Sequence, residues 1–270
     1  STETLESGEF DWDSVPSSLD PSYNLKGLRG IRKRQQCESF ARALQPLITK
    51  YHERLSRPVR IVDFGCGTGN ASLPLAFWFQ DLATFSLVDR YKVPVDTATK
   101  RAAEAGLKNV QCINQYINDF NESKEPFDIG FSSHACGSAS DDALAACIDV
   151  GASFVLIPCC VGKLKFVEDE SLPRSAWMRE FLTREEFLDL SRAGDHSVRD
   201  NDEPLSEWKR ESKLLLEIDR LALAQETRKF SSLLLAKLDP LDCSTKNDVL
   251  IGIAEIQDPP ITLDKALQTE

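Results

Sequence analysis

Short apolar runs recur along the chain, and between them apolar residues return every three or four positions. The runs are "VRIVDF" (59–64), "TFSLVD" (84–89), "NVQCINQY" (109–116), "FDIGFSS" (127–133) and "ASFVLIP" (152–158). Their nearly continuous hydrophobicity is that of strands covered on both faces. Helical patterns separate them: "ASLPLAFWF" after the first, "DTATKRAAEAG" closed by Gly106, and "DDALAACIDVG" closed by Gly151. Ahead of the first strand, Cys37, Phe40, Ala41, Leu44, Leu47, Ile48 and Tyr51 keep helical spacing, which predicts an amphipathic helix from about 31 to 55. The alternation predicts right-handed βαβ units in a doubly wound parallel sheet.

Beyond Gly162 the pattern changes. Residues 163–205 are charged, with short helical signals at "SAWMREFL" and "TREEFLDLSRA", and 207–227 predicts a helix with Leu214, Ile218, Leu221 and Ala222 on one face. "RKFSSLLLAKL" and "DVLIGIAEI" then predict two strands whose polar connection is too short for a crossover helix, so they pair antiparallel. Five alternating strands and a terminal hairpin predict the α/β fold of class I S-adenosylmethionine-dependent methyltransferases, a Rossmann-like seven-stranded sheet, parallel with a terminal antiparallel hairpin. Residues 1–29, with Pro16, Pro21 and several Ser and Asp, are expected to form an extended arm. Residues 30–270 are expected to form one domain with a helical insertion at about 163–227.

Composition narrows the classes of partner. In 270 residues, 41% hydrophobic and 28% charged, no run approaches the roughly 18 apolar residues of a membrane span, so no membrane partner is expected. The acidic, polar beginning lacks a signal-peptide pattern, and eight scattered cysteines are expected as reduced thiols, which together suggest a cytoplasmic location. A net charge of −11 opposes indiscriminate binding to nucleic acid. Locally, though, "KGLRGIRKR" carries five bases and no acid, a patch able to meet an anion.

The turn after the first strand reads "VDFGCGTG". Gly65, Gly67 and Gly69 permit positive φ and close backbone approach to a ligand. Asp63 would repel a dinucleotide's pyrophosphate but suits an ammonium group, and G-x-G-x-G departs from the dinucleotide spacing G-x-G-x-x-G. Asp89, ending the second strand, can accept the ribose hydroxyls of an adenosine or cap a helix. Asp119, in "YINDF", stands where an acid meets an adenine amino group, or is an exposed turn residue. The expected cofactor is S-adenosyl-L-methionine, held by Asp63, Gly65, Cys66, Gly67, Gly69, Asp89, Asp119 and Ser133.

The segments "WDSVP", "RKRQQ", "VDFGCGTG", "SSHACGSASD", "ASFVLIPCCVG", "LPRS" and "DCSTKNDVLIGI" occur in that order. From about Trp12 to Ile253 the chain thereby resembles the methyltransferase-like region of the glutathione S-transferase C-terminal domain-containing protein family. More distantly, HxCG and CC are similar to tRNA ribose methyltransferases that modify the acceptor stem. The resemblance implies a class I fold and an RNA acceptor. It implies no glutathione chemistry, because the glutathione-transferase-like part has no counterpart here. A small-molecule methyltransferase and a cofactor-binding interaction module without catalysis remain alternatives.

His134 and Cys136 follow the fourth strand, and Cys159 and Cys160 the fifth, at the sheet edge where ligands bind. A zinc site is disfavoured, because adjacent cysteines are expected to point apart and no C-x₂-C spacing is present, so no metal is expected. A thiolate nucleophile, as in pyrimidine C5 methyltransferases, is a second reading. The favoured reading is an acceptor-pocket wall of His134, Cys136, Asp141, Cys159 and Cys160, with His134 or Asp141 orienting the acceptor. Otherwise the small residues only permit tight turns and Asp141 caps the next helix. Arg32, Lys33 and Arg34 are expected to meet phosphate or the cofactor carboxylate while Gln36 faces the site, or else to form a solvated helix start.

Overall fold

The computed structural model describes residues 10–23, 25–133, 135–167, 171–195 and 204–255, with the side chains of 204–206 excepted. Seven strands, β1 (Val59–Phe64), β2 (Ala83–Asp89), β3 (Val110–Asn114), β4 (Ile129–Ser132), β5 (Ser153–Leu156), β6 (Phe230–Lys237) and β7 (Asp248–Ala254), form one sheet in the order β3-β2-β1-β4-β5-β7-β6. The first five run parallel, and β7 lies antiparallel between β5 and β6. This is the expected class I arrangement. The winding reverses at β1, whose neighbours are β2 and β4, so a crevice opens at the carboxyl ends of those strands.

Helices α1 (Leu28–Leu55), α2 (Ser72–Trp78), α3 (Lys92–Glu104), α4 (Ile117–Glu122), α5 (Ala139–Val150), α6 (Ala176–Arg179), α7 (Arg184–Gly194) and α8 (Pro204–Glu226) surround the sheet. On one face Phe40, Leu44 and Ile48 of α1 and Leu73 of α2 pack with Ile61, Phe85, Phe131 and Val155. On the other, Phe120 of α4, Leu144 and Cys147 of α5 and Ala224 of α8 pack with Val62, Phe64, Val88 and Phe154. Successive strand side chains point to opposite faces, and both faces are covered, which is why the strands read as unbroken apolar runs. Each fully buried Leu or Phe contributes roughly 1.5–3 kcal/mol of transfer free energy.

Two expectations need correction. Of the expected arm of 1–29, residues 1–9 and 24 lie outside the described residues, while 10–23 and 25–27 form turns and short connections packed on the domain rather than extended chain: Leu19 is fully buried, and Phe10 and Trp12 lie 4.6 and 4.8 Å from the Trp78 ring. In α8 the buried positions are Ser212, Lys213, Leu216, Glu217, Asp219, Arg220 and Ala224, whereas Leu214, Ile218, Leu221 and Ala222 are only partly covered. A third cluster joins Val161, Leu164, Met178, Phe187 and Leu216 beneath α7 and α8. No helix among the described residues is long and apolar enough to cross a membrane.

Candidate cofactor and acceptor cavity

β1 stops because three glycines adopt positive φ: 79° at Gly65, 56° at Gly67 and 76° at Gly69. A side chain at Gly69 would also stand 2.7 Å from Leu73 Cγ. The loop is anchored to the end of β2: Gly65 and Cys66 donate to the Val88 carbonyl at 2.8 and 3.1 Å, and Gly67 N donates to Asp89 Oδ2 at 2.9 Å. Its backbone therefore faces outward over the strand ends.

Two cavities flank the loop and share Gly65. The larger, about 450 Å³, is lined by Asp89, Tyr91, Asn118, Cys136, Ser138 and Asp142 among others. The smaller, about 270 Å³, is lined by Lys33, Gln36, Cys66, Gly67, Asn70 and Ser133 among others. The larger alone falls in the roughly 300–1,000 Å³ range of small-molecule sites.

Asp63, fully buried, accepts from the Ser72 hydroxyl at Oδ2, while Oδ1 has no hydrogen-bond partner among the described residues. Burial pushes its carboxyl up to about 7; Ser72 opposes the shift and the charge of Asp89 adds to it. Asp63 itself lines neither cavity, but it stands two residues before Gly65, which lines both, and a buried carboxylate oxygen without a partner among the described residues suits a cationic ligand group. Asp89 accepts backbone amides at both oxygens, from Gly67 and, at 2.9 Å, from Tyr91. An ionised carboxylate has about four lone-pair sites, so it can still receive hydroxyl donors.

Asp119 is exposed on α4 and is not in the cavity wall. The short helix beginning at Ile117, which the sequence pattern does not reveal, puts Ile117 and Asn118 in the wall instead. Asp142 is a second wall residue the sequence reading missed. Burial first, then the charge of Asp141, pushes its carboxyl up to about 6, against a hydrogen bond from Asn118.

Helix α1 sends the side chains of Arg32, Lys33, Arg34 and Gln36 to different places. Lys33 and Gln36 reach the smaller cavity; Lys33 Nζ donates to Gln36 Oε1 at 3.1 Å, and Gln36 Nε2 to the Cys243 carbonyl at 2.5 Å. Arg34 turns away, 2.6 Å from Asp20 and stacked 5.1 Å over the Trp12 ring. Arg32 lies 3.9 Å from Asp242 and lines a separate cavity of about 490 Å³ with Arg210 and Lys237.

On the acceptor side, Asp141 does not face the cavity. Its oxygens accept from Arg174 Nη2 and, at 2.7 Å, from Arg220 Nε, and its side chain does not cap α5. Burial alone would raise its pKa, but Arg220 and Arg174 hold it below the usual carboxylate range. With both oxygens engaged, Asp141 is a structural ion-pair partner rather than a group that orients an acceptor. His134 lies outside the described residues.

The cysteines behave contrary to expectation. Cys160, with φ −111° and ψ 90°, turns the chain out of β5 into the 3₁₀ helix Val161–Phe166, and the adjacent side chains converge instead of diverging. The sulfurs of Cys136, Cys159 and Cys160 all lie within 4.8 Å of one another, with Cys136 and Cys159 3.1 Å apart. Lys246 Nζ stands 3.3 Å from Cys160 Sγ, and Gly137 N donates to the Cys160 carbonyl at 2.9 Å. The Cys159 hydrogen bond draws the Cys136 thiol down to about 5 against the effect of burial, with Lys163 and Lys246 assisting.

The sheet order and the glycine loop at the end of β1 define a class I methyltransferase fold. The methyltransferase domain family model matches residues 32–166, and the chain belongs to that family. The kinship suggested by the HACG and PCC segments is seen in curated relatives. The glutathione S-transferase C-terminal domain-containing protein of Bos taurus is 29% identical over 245 residues, 90% of this chain and 37% of that protein. Its homolog in Drosophila pseudoobscura pseudoobscura is 31% identical over 251 residues, 90% of this chain and 40% of that one. The chain thus spans less than half the length of these relatives. Among solved structures, a Streptococcus thermophilus rRNA methylase aligns at 14% identity and TM-score 0.44, covering 80% of this chain and 97% of that one.

Proposed function

We propose that the chain is an S-adenosylmethionine-dependent methyltransferase acting on RNA in the cytoplasm. Asp63 carries the cofactor reading: a buried carboxylate near the end of β1, with one oxygen unpartnered among the described residues, suits the ammonium of a methionyl group. The cofactor supplies an electrophilic methyl group when bound. Asp89 receives ribose hydroxyls, Asn118 and Asp142 line the larger cavity, and Lys33 offers a cation to the methionyl carboxylate from the smaller one. Methyl transfer from a sulfonium needs chiefly in-line placement, and the wall at Cys136–Ser138 is where an acceptor meets this cavity. The resemblance to tRNA ribose methyltransferases and the groove of Arg32 and Arg210 support an RNA acceptor, whose phosphates such side chains position.

Calorimetry with S-adenosylmethionine and its demethylated product tests the cofactor: saturable binding of one equivalent is expected, and no heat from a folded sample refutes the proposal. Labelled methyl transfer is expected into total RNA and not into a metabolite extract. Transfer into the extract alone would replace the acceptor reading with a small-molecule one.

A further inference from the structure

We propose that Cys136, Cys159 and Cys160 bind a zinc ion at the seam between the ends of β4 and β5, bracing the wall of the larger cavity. This goes beyond methyl transfer and does not depend on it. The three sulfurs come from segments 23 residues apart yet meet within 4.8 Å. Zinc–sulfur bonds of about 2.3 Å at tetrahedral angles place thiolates about 3.8 Å apart, so shifts of no more than about 1 Å seat the ion. An all-sulfur set selects a soft or borderline cation over calcium or magnesium. Three thiolates and Zn²⁺ leave one net negative charge. Lys246, 3.3 Å from Cys160 Sγ, and Lys163, in the same cavity wall, offset it. A fourth position is left for water.

The competing chemistries use fewer of these atoms. A nucleophile needs one exposed thiolate and a disulfide needs two. Neither accounts for a third sulfur converging on the same point with a lysine against it.

The test uses the full chain, stripped of metal under reducing conditions and titrated with Co²⁺ and then Zn²⁺. One equivalent of Co²⁺ is expected to give thiolate-to-cobalt charge-transfer absorption, which one equivalent of Zn²⁺ abolishes. Cys136→Ser, Cys159→Ser and Cys160→Ser should each weaken Co²⁺ binding by about tenfold or more, whereas Cys112→Ser, on β3, leaves it unchanged. Circular dichroism checks the fold of each variant. For any variant that fails to fold, the wild-type chain gives the answer: Zn²⁺ is expected to protect these three thiols from iodoacetamide, mapped by mass spectrometry. Absence of the charge-transfer band at one equivalent, its persistence in a Cys136/Cys159 double variant, or a Cys136–Cys159 disulfide that survives reduction and metal loading would each overturn the proposal.

Discussion

At Asp63 the preference of the fold and that of the proposed cationic ligand oppose each other. Its folded pKa, raised from 3.8 to about 7, means the fold prefers the neutral acid. The resulting stabilisation is complete below about pH 4 and is lost as the pH rises through about 7. A cationic ligand needs the ionised form, so the two preferences oppose each other. S-adenosylmethionine affinity is therefore expected to rise between pH 6 and 8, and below pH 7 binding should release a proton, read from calorimetry in buffers of different ionisation enthalpy. Asp63→Asn removes the charge but keeps the shape. It should weaken binding by roughly 10–100-fold, the worth of a charged hydrogen bond, and raise the melting temperature of the unliganded chain at pH 8 but not at pH 4. Unchanged affinity with a lower melting temperature at pH 8 would mean that Asp63 serves the fold alone. The position of Asp63 ahead of the glycine loop is legible in the sequence because acid and glycines close an apolar strand run. The role of Asp142 is not, because it depends on Asn118 in a helix that periodicity does not show.

Helix α8 shows where periodicity misleads. Its buried face carries Lys213, Glu217 and Arg220, which a search for apolar stripes passes over in favour of Leu214 and Ile218. The charges are tolerated because each is matched. Arg220 binds Asp141 at 2.7 Å and Glu217 at 2.6 Å, Lys213 binds Glu217 at 3.1 Å and also Asp248, and Asp219 accepts from Arg174 N and Ser175 N, both at 2.9 Å. The Asp141 partner is 79 residues distant in sequence, so no local pattern announces it. The central strands β4 and β5 needed no such information, since they are buried on both faces. Arg220→Met should leave Asp141 with Arg174 alone and Glu217 with Lys213 alone, both buried and short of one partner, and cost about 3 kcal/mol, seen as a lower urea midpoint at unchanged slope. Lys at this position should recover little, because it cannot present Nε and Nη1 to two carboxylates. Asp141 and Asp248 both have depressed pKa values, so their contribution is present above the usual carboxylate range and is lost as the pH falls below it.

Across the whole molecule, the amino-terminal turns, the glycine loop and α3 act as one unit through Arg101. Its guanidinium donates to the Ser18 carbonyl at 2.7 Å, the Leu19 carbonyl at 3.3 Å, the Thr68 carbonyl at 2.6 Å and Asn70 Oδ1 at 2.7 Å. Trp12 reinforces the attachment, its Nε1 donating to Glu38 at 2.7 Å. Trp12, Val15 and Leu19 are spaced i, i+3, i+7, but Pro16 and the neighbouring Asp and Ser mark the segment as turns, so its packing on the domain is hidden. Arg101→Met keeps much of the aliphatic bulk and removes every donor. It is expected to cost about 2–4 kcal/mol, lowering the melting temperature by roughly 4–7 °C. Because Thr68 and Asn70 belong to the loop over the smaller cavity, S-adenosylmethionine affinity should fall several-fold as well. Deleting residues 1–22 removes the Ser18 and Leu19 acceptors, so adding Arg101→Met to the shortened chain should cost less than it does in the full one, a coupling that a double-mutant cycle measures. Equal costs in both backgrounds would mean that the amino-terminal turns rest on the domain without bracing the loop.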